Sequence, residues 1–283
     1  MYEEIVNFGE GNSLVGILSN PSNPAAGQRT ACLFPNVGLA HRIGPHRLNV
    51  RLSRALAHEG MNCLRFDLSG IGDSGTTHSQ GNFLEQAVRD MRAAMDHLQS
   101  TRGIERFLVF GICSGAVNAY RLAIADPRVV GILMLDGFSY KSRWYKLVDF
   151  MARLRLVPAK ELPDFLGAIA RKALRRLKPQ PVATIDASIT VIAPPREDFE
   201  RDISALTRRG VNVFCVFTGG VQVTSGDRDQ LCGLGNAAFL QKVRCEYWPE
   251  VDHTATALHS QTLLSKALCQ WAQSMSGAAV LST

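Results

Sequence analysis

"RFLVFGICSGA", Arg106 to Ala116, is an apolar run that ends in two glycines framing Ile112, Cys113 and Ser114. Phe107 to Phe110 reads as a strand buried on both faces, and "SGAVNAYRLAIA" after it reads as a helix. A sharp strand-to-helix turn of the form G-x-nucleophile-x-G lifts its middle side chain clear of a sheet. Between Gly111 and Gly115 the middle residue is Cys113, and Ser114 sits one place too late. The start of the following helix lies beneath such a side chain, and a helix N-terminus favours a thiolate. Ser114 suits a capping or first-turn role, and its main-chain N–H is a natural donor to an oxyanion. The second donor is expected in the loop after the third strand, at the N–H of Val37, with Asn36 beside it.

Strands and helices alternate on both sides of this turn. Residues 3–8 and 13–19 alternate apolar and polar side chains across a glycine-rich turn, which predicts a hairpin. "TACLFPN" and "MNCLRFDLSG" read as strands around a helix over 47–59 that stops at Gly60. "NFLEQAVRDMRAAMDHLQS" is a strong amphipathic helix, and "VVGILMLDGF", "VNVFCVFTGG" and "VRCEYWPE" are further strands before a closing helix in "SQTLLSKALCQWAQSM". The rhythm predicts an α/β fold: a mostly parallel sheet with an antiparallel N-terminal edge and helices on both faces. From 138 to 209 the pattern changes to basic amphipathic helices. The predicted division is therefore a core of 1–137 and 210–283, with 138–209 an inserted helical cap over the carboxyl ends of the strands.

The composition agrees with such a core. Of 283 residues 46% are hydrophobic and 20% charged, enough apolar surface for one large domain. The seven cysteines are scattered with no CxxC pair, which points to free thiols in a reducing compartment rather than disulfides or a zinc site. The acidic start lacks the apolar run of a signal peptide, and no stretch reaches the length of a membrane span. The expected location is cytoplasmic, and no metal or other cofactor is implied.

Four pieces carry a resemblance: "LFPNVG" after the third strand, "RFDLSGIGDSG" after the fourth, "GICSGA" at the turn, and "DHTAT" near the end. Over nearly its full length the chain resembles an α/β-hydrolase. Within that superfamily it is most similar to the serine-aminopeptidase-like hydrolases associated with exosortase systems, which also tend to place Cys at the centre of the elbow. The resemblance implies the α/β-hydrolase fold with a lid, and a nucleophile–acid–histidine site.

For the base, His253 in "PEVDHTAT" lies on the loop after the last strand, in the order expected for this fold. His58 and His97 fall on helices, His78 in a polar loop, and His259 at the start of the final helix. For the acid, Asp227 and Asp229 in "SGDRDQL" rank equally, although Asp229 also suits a helix N-cap. Asp136, at the end of "GILMLD", ranks third, and Asp252 is too close to His253 in sequence to orient it from behind.

Two motifs mislead. "GIGDSG", Gly70 to Gly75, matches a dinucleotide fingerprint but runs into "TTHSQGN" instead of a helix. The "GDSG" within it has no β-barrel around it; Ser74 reads as a turn residue, and Asp67 and Asp73 as side chains that tie the loop together. The positive charge is concentrated elsewhere. Residues 141–178 hold eleven Lys or Arg against three acidic residues, more than the net +6 of the whole chain.

A basic lid beside an acyl-transfer site would suit an acidic partner, such as an acyl carrier protein, or a membrane surface. Nucleic acid is not expected, since no nucleic-acid motif accompanies the charge; a homodimer is compatible. The expected activity is a thioesterase or esterase using Cys113 and His253, on a small-molecule or carrier-bound acyl substrate. The alternatives are an acyltransferase or cyclase, or a non-catalytic binding protein on the same fold.

Overall fold

The computed structural model describes residues 1–23, 29–76, 82–138, 193–220 and 238–276, with 140, 154, 157, 158, 167, 231 and 234. Among them eight strands form one sheet. These are β1 (Tyr2–Phe8), β2 (Leu14–Asn20), β3 (Thr30–Phe34), β4 (Asn62–Phe66), β5 (Arg106–Ile112), β6 (Val129–Leu135), β7 (Asn212–Thr218) and β8 (Val243–Trp248). The helices are α1 (Leu48–His58), α2 (Phe83–Arg102), α3 (Ser114–Ala125), α4 (Arg196–Arg208) and α5 (Leu258–Ser276). In space the strands run β1-β2-β4-β3-β5-β6-β7-β8. The β1–β2 and β2–β4 pairs are antiparallel and all others are parallel, as the opening hairpin and the later alternation predict.

β5 shows how the sequence divides the core. Phe107 and Val109 face one apolar cluster with α2, α3 and α4, while Leu108, Phe110 and Ile112 face the other with α1 and α5. The strand is buried on both sides, so it is apolar at nearly every position. The helices change face because the chain runs from β3 outward to β4, then doubles back past β3 to β5. Parallel crossovers keep one hand, so reversing the direction of travel moves the helix to the opposite face. That reversal opens a crevice at the carboxyl ends of β3 and β5, where sheets of this kind place their ligands.

α2 begins where its chemistry directs. The Asn82 side chain accepts the Glu85 N–H at 3.0 Å and donates to the Glu85 carboxylate at 3.0 Å, and Gly103 ends the helix at a φ of 66°. α4 lies inside the stretch 138–209. Its Phe199, Ile203 and Leu206 are buried in the same cluster as α2 and α3, so residues 196–208 are the crossover between neighbouring parallel strands β6 and β7. The polar surroundings of those three residues hide the helix's core face in the sequence.

The two ends of the remaining segment meet. Tyr140 packs its ring 5.0 Å from Phe199, and its hydroxyl donates to the Pro194 carbonyl at 2.9 Å. Apart from Leu154, Val157, Pro158 and Gly167, the basic stretch 141–178 lies outside the described residues. Among the described residues no helix is long and apolar enough to cross a membrane.

Candidate active site

The β5–α3 turn has the geometry its glycines demand. Cys113 has φ 53° and ψ −116°, a conformation that L-residues rarely adopt, and its N–H donates to the Leu135 carbonyl at 2.9 Å. A Cβ at Gly111 would stand 2.2 Å from the Gly115 carbonyl oxygen, and one at Gly115 would stand 2.8 Å from that of Asn36. The first contact permits the sharp turn, and the second lets the β3 loop close against it. Cys113 is a free, half-buried thiol. Ser114 is the first residue of α3, and its Oγ accepts the Gly38 N–H at 2.6 Å. The serine therefore clasps the β3 loop to the helix. The Ser114 N–H has no partner among the described residues.

A buried polar knot holds that β3 loop. Asn36 accepts the Leu68 N–H at 2.6 Å and donates to the Ala40 carbonyl at 2.9 Å and to Asp67 at 3.1 Å. Asp67, fully buried, also accepts the Arg42 N–H, the Arg42 guanidinium and the Asp73 N–H. Val37 lies within this loop, bridged to Ala40, and packs in the same apolar cluster as Cys113. The "GIGDSG" stretch is part of the same knot, as expected of Asp67 and Asp73. Ser74 donates to the Asp67 carbonyl at 2.7 Å and accepts the Val15 N–H at 2.9 Å.

His253 stands opposite the turn, on the loop between β8 and α5. Its Nδ1 lies 2.8 Å from Asp136 Oδ2, and the Cys113 thiol is near enough to act on its pKa. Asp136 follows β6 with a φ of 49°, and it also accepts the Thr218 N–H at 2.8 Å and the Thr218 hydroxyl at 2.7 Å. The position behind the histidine is thus held by the third-ranked carboxylate, while Asp227 and Asp229 lie outside the described residues. The hydrogen bonds to Asp136 and to Cys113 raise the His253 pKa to about 10, against the opposing effect of burial.

Asp252 has a different task. Burial alone would raise its pKa, but the N–H groups and hydroxyls of Thr256 and Thr254 outweigh that and hold it at about 2. Those same bonds shape the "DHTAT" loop and fix the backbone from which His253 projects. Gly219 and Gly220 let β7 end against this loop; a Cβ on Gly220 would stand 2.8 Å from the His253 nitrogen.

From Ser114 and Gly38 a groove of about 780 Å³ runs between α2 and α3. Leu84, Val88, Val117, Tyr120, Ile124 and Phe138 wall it. Among the described residues no group of three or more His, Cys, Asp or Glu could hold a metal ion.

A family model described as "Serine aminopeptidase, S33" matches residues 35–255. No curated protein sequence matches the chain. Solved structures do. A serine hydrolase from Xanthomonas campestris, described as lacking a lid, is 13% identical over 97% of this chain and 95% of its own, at a TM-score of 0.55. An esterase from Pyrococcus furiosus is 15% identical over 96% of this chain and 90% of its own, at 0.57. The esterase domain of a Rhodothermus marinus protein is 16% identical over 96% and 98%, at 0.52. At these identities the likeness is one of fold.

Proposed function

The chain belongs to the serine aminopeptidase (S33) family of α/β-hydrolases, and on that footing we propose that it hydrolyses a carboxylic ester or thioester through an acyl-cysteine on Cys113. One observation carries the reading. A cysteine occupies the strained centre of the elbow, with His253 and Asp136 aligned behind it.

The thiol proton passes to His253 Nε2 before the attack, so Sγ meets the carbonyl carbon as a thiolate, and Asp136 stabilises the imidazolium through Nδ1–H. The oxyanion faces the Ser114 N–H, with the Val37 N–H as second donor. Collapse of the tetrahedral species expels the alkoxide or thiolate, which takes the proton from His253. Water then attacks the acyl-cysteine and gives its proton to His253, the carboxylic acid leaves, and the thiol is restored. An acyl-cysteine is itself a thioester, so exchange with a thioester substrate is nearly balanced. An amide nitrogen must be protonated before it leaves, which makes amides harder substrates. The mostly apolar surface of the groove that opens from Ser114 suits an acyl chain.

The test is intact-protein mass spectrometry after brief exposure to p-nitrophenyl octanoate and to an octanoyl thioester. The expected result is an octanoyl adduct on the wild type and on Ser114→Ala, and none on Cys113→Ala. An adduct lost only with Ser114→Ala would place the nucleophile one residue later. No adduct and no substrate consumed by any form would overturn the ester and thioester reading altogether.

A further inference from the structure

We propose that the acyl chain taken by this groove carries a hydroxyl group part-way along, and that the buried carboxamide of Asn118 binds it. The inference rests on the acyl-enzyme reading above for the position of the carbonyl. Asn118 lies on α3 one helical turn beyond Ser114, a rise of about 6 Å along the axis, and lines the same groove. It is 2% exposed, and among the described residues its Oδ1 has no hydrogen-bond partner. Buried carboxamides are ordinarily satisfied, so an orphan beside a ligand-sized groove points to a partner that arrives with the ligand.

No neighbouring hydroxyl bonds to Asn118 Oδ1 among the described residues. Tyr120 donates to Asp202 at 2.9 Å, and Ser114 accepts from Gly38. Val117 and Phe138, which wall the groove with Asn118, are apolar; Arg89, Arg121 and Arg201 also line it, and none of them bonds to Asn118 Oδ1. A hydroxyl suits the vacancy better than a charged donor, because Asn118 is buried and a neutral group costs less to bring there. It also donates and accepts, so it satisfies a carboxamide in either orientation. A plain saturated chain would fill the groove and leave Asn118 sealed without a partner, and sites built around a hydrogen bond reject such analogues.

The experiment reads binding without turnover. Calorimetry on Cys113→Ala compares octanoic acid with its β-hydroxy and δ-hydroxy derivatives. At least one hydroxy acid should bind about tenfold more tightly than octanoic acid, the scale of one well-made hydrogen bond. In Cys113→Ala/Asn118→Leu the ratio should fall to about one, with octanoic acid bound at least as well as before. Asn118→Ala serves as a second variant should leucine disturb α3. Equal affinities for all three acids, or a preference that survives both substitutions, would overturn the proposal; the first is the outcome if ordered water already satisfies Asn118. Failure of any acid to bind would overturn it too. If the hydroxy preference appears but no ester or thioester acylates the wild type, the binding site stands and the acyl-enzyme reading falls.

Discussion

Asp136 and His253 are separated by most of the second half of the chain, and the link between them is the least legible part of the site. An aspartate at the end of a buried strand has several ordinary roles, and nothing local to "GILMLD" selects one. Thr218 supplies the missing information. It closes β7, the strand beside β6, and its N–H and hydroxyl turn the Asp136 carboxylate toward the histidine loop. Cys113 and His253, by contrast, are legible because their loops carry local signatures: framing glycines in one, and a short run after the last strand in the other. The coupling predicts a pH signature. Hydrolysis of an alkyl ester needs the imidazolium to protonate the departing alkoxide, so activity should hold toward the alkaline side until His253 deprotonates, at about 10. Asp136→Asn removes the charge that raises this pKa, and asparagine tolerates the positive φ at that position. In that variant the alkaline limb of the kcat/KM profile should move down toward 6.5, the ordinary histidine value, and kcat should fall by about 100-fold or more. An unmoved limb would mean that another group supplies the proton.

Among the elements, α4 shows how composition can mislead. "REDFERDISALTR" is mostly charged and polar, and it ends the stretch 138–209, so it reads as part of a surface insertion. Its three apolar side chains nevertheless share one face and seat the helix on the sheet. Phe199 is the anchor, stacked 5.7 Å from Tyr120 and edge-on to Phe138 at 5.7 Å. α2, with a wide apolar stripe, a cap and a terminal glycine, is legible without a structure; α4 needs the knowledge that β6 and β7 are parallel neighbours. Phe199→Ala should therefore destabilise the whole core by about 3–5 kcal/mol, the usual cost of emptying a buried aromatic site. Urea unfolding followed by the fluorescence of Trp248 and Trp271, which lie on the other face of the sheet, would measure it. A shift confined to a minor early transition, with the main one unchanged, would mark α4 as part of a separable cap.

For the molecule as a whole, the order of strands decides where the chemistry can be. The overall α/β plan is legible because strand and helix periods alternate, and the reversal at β3 then brings the loops after β3 and β5 together at one crevice. β6, β7 and β8 follow in register beyond it, so the acid and histidine loops come from the same edge of the sheet, at its carboxyl ends. Strand order is a long-range property that local periodicity does not encode, which is why the sequence ranks the acid after β7 above the one after β6. The same joining of distant loops makes global stability depend on the His253 proton. The folded pKa, about 10, lies above the ordinary 6.5 of an unfolded histidine, so the protonated form is favoured by folding. Its contribution is complete below about 6.5 and is lost progressively as pH rises through about 10. Other groups titrate at the alkaline end as well, so the informative quantity is the difference between wild type and Asp136→Asn in urea midpoint. That difference should be largest at and below neutral pH and should narrow as pH approaches 10. A gap that stays constant across the range would mean that the Asp136 carboxylate stabilises the fold through Thr218 alone, independently of the charge on His253.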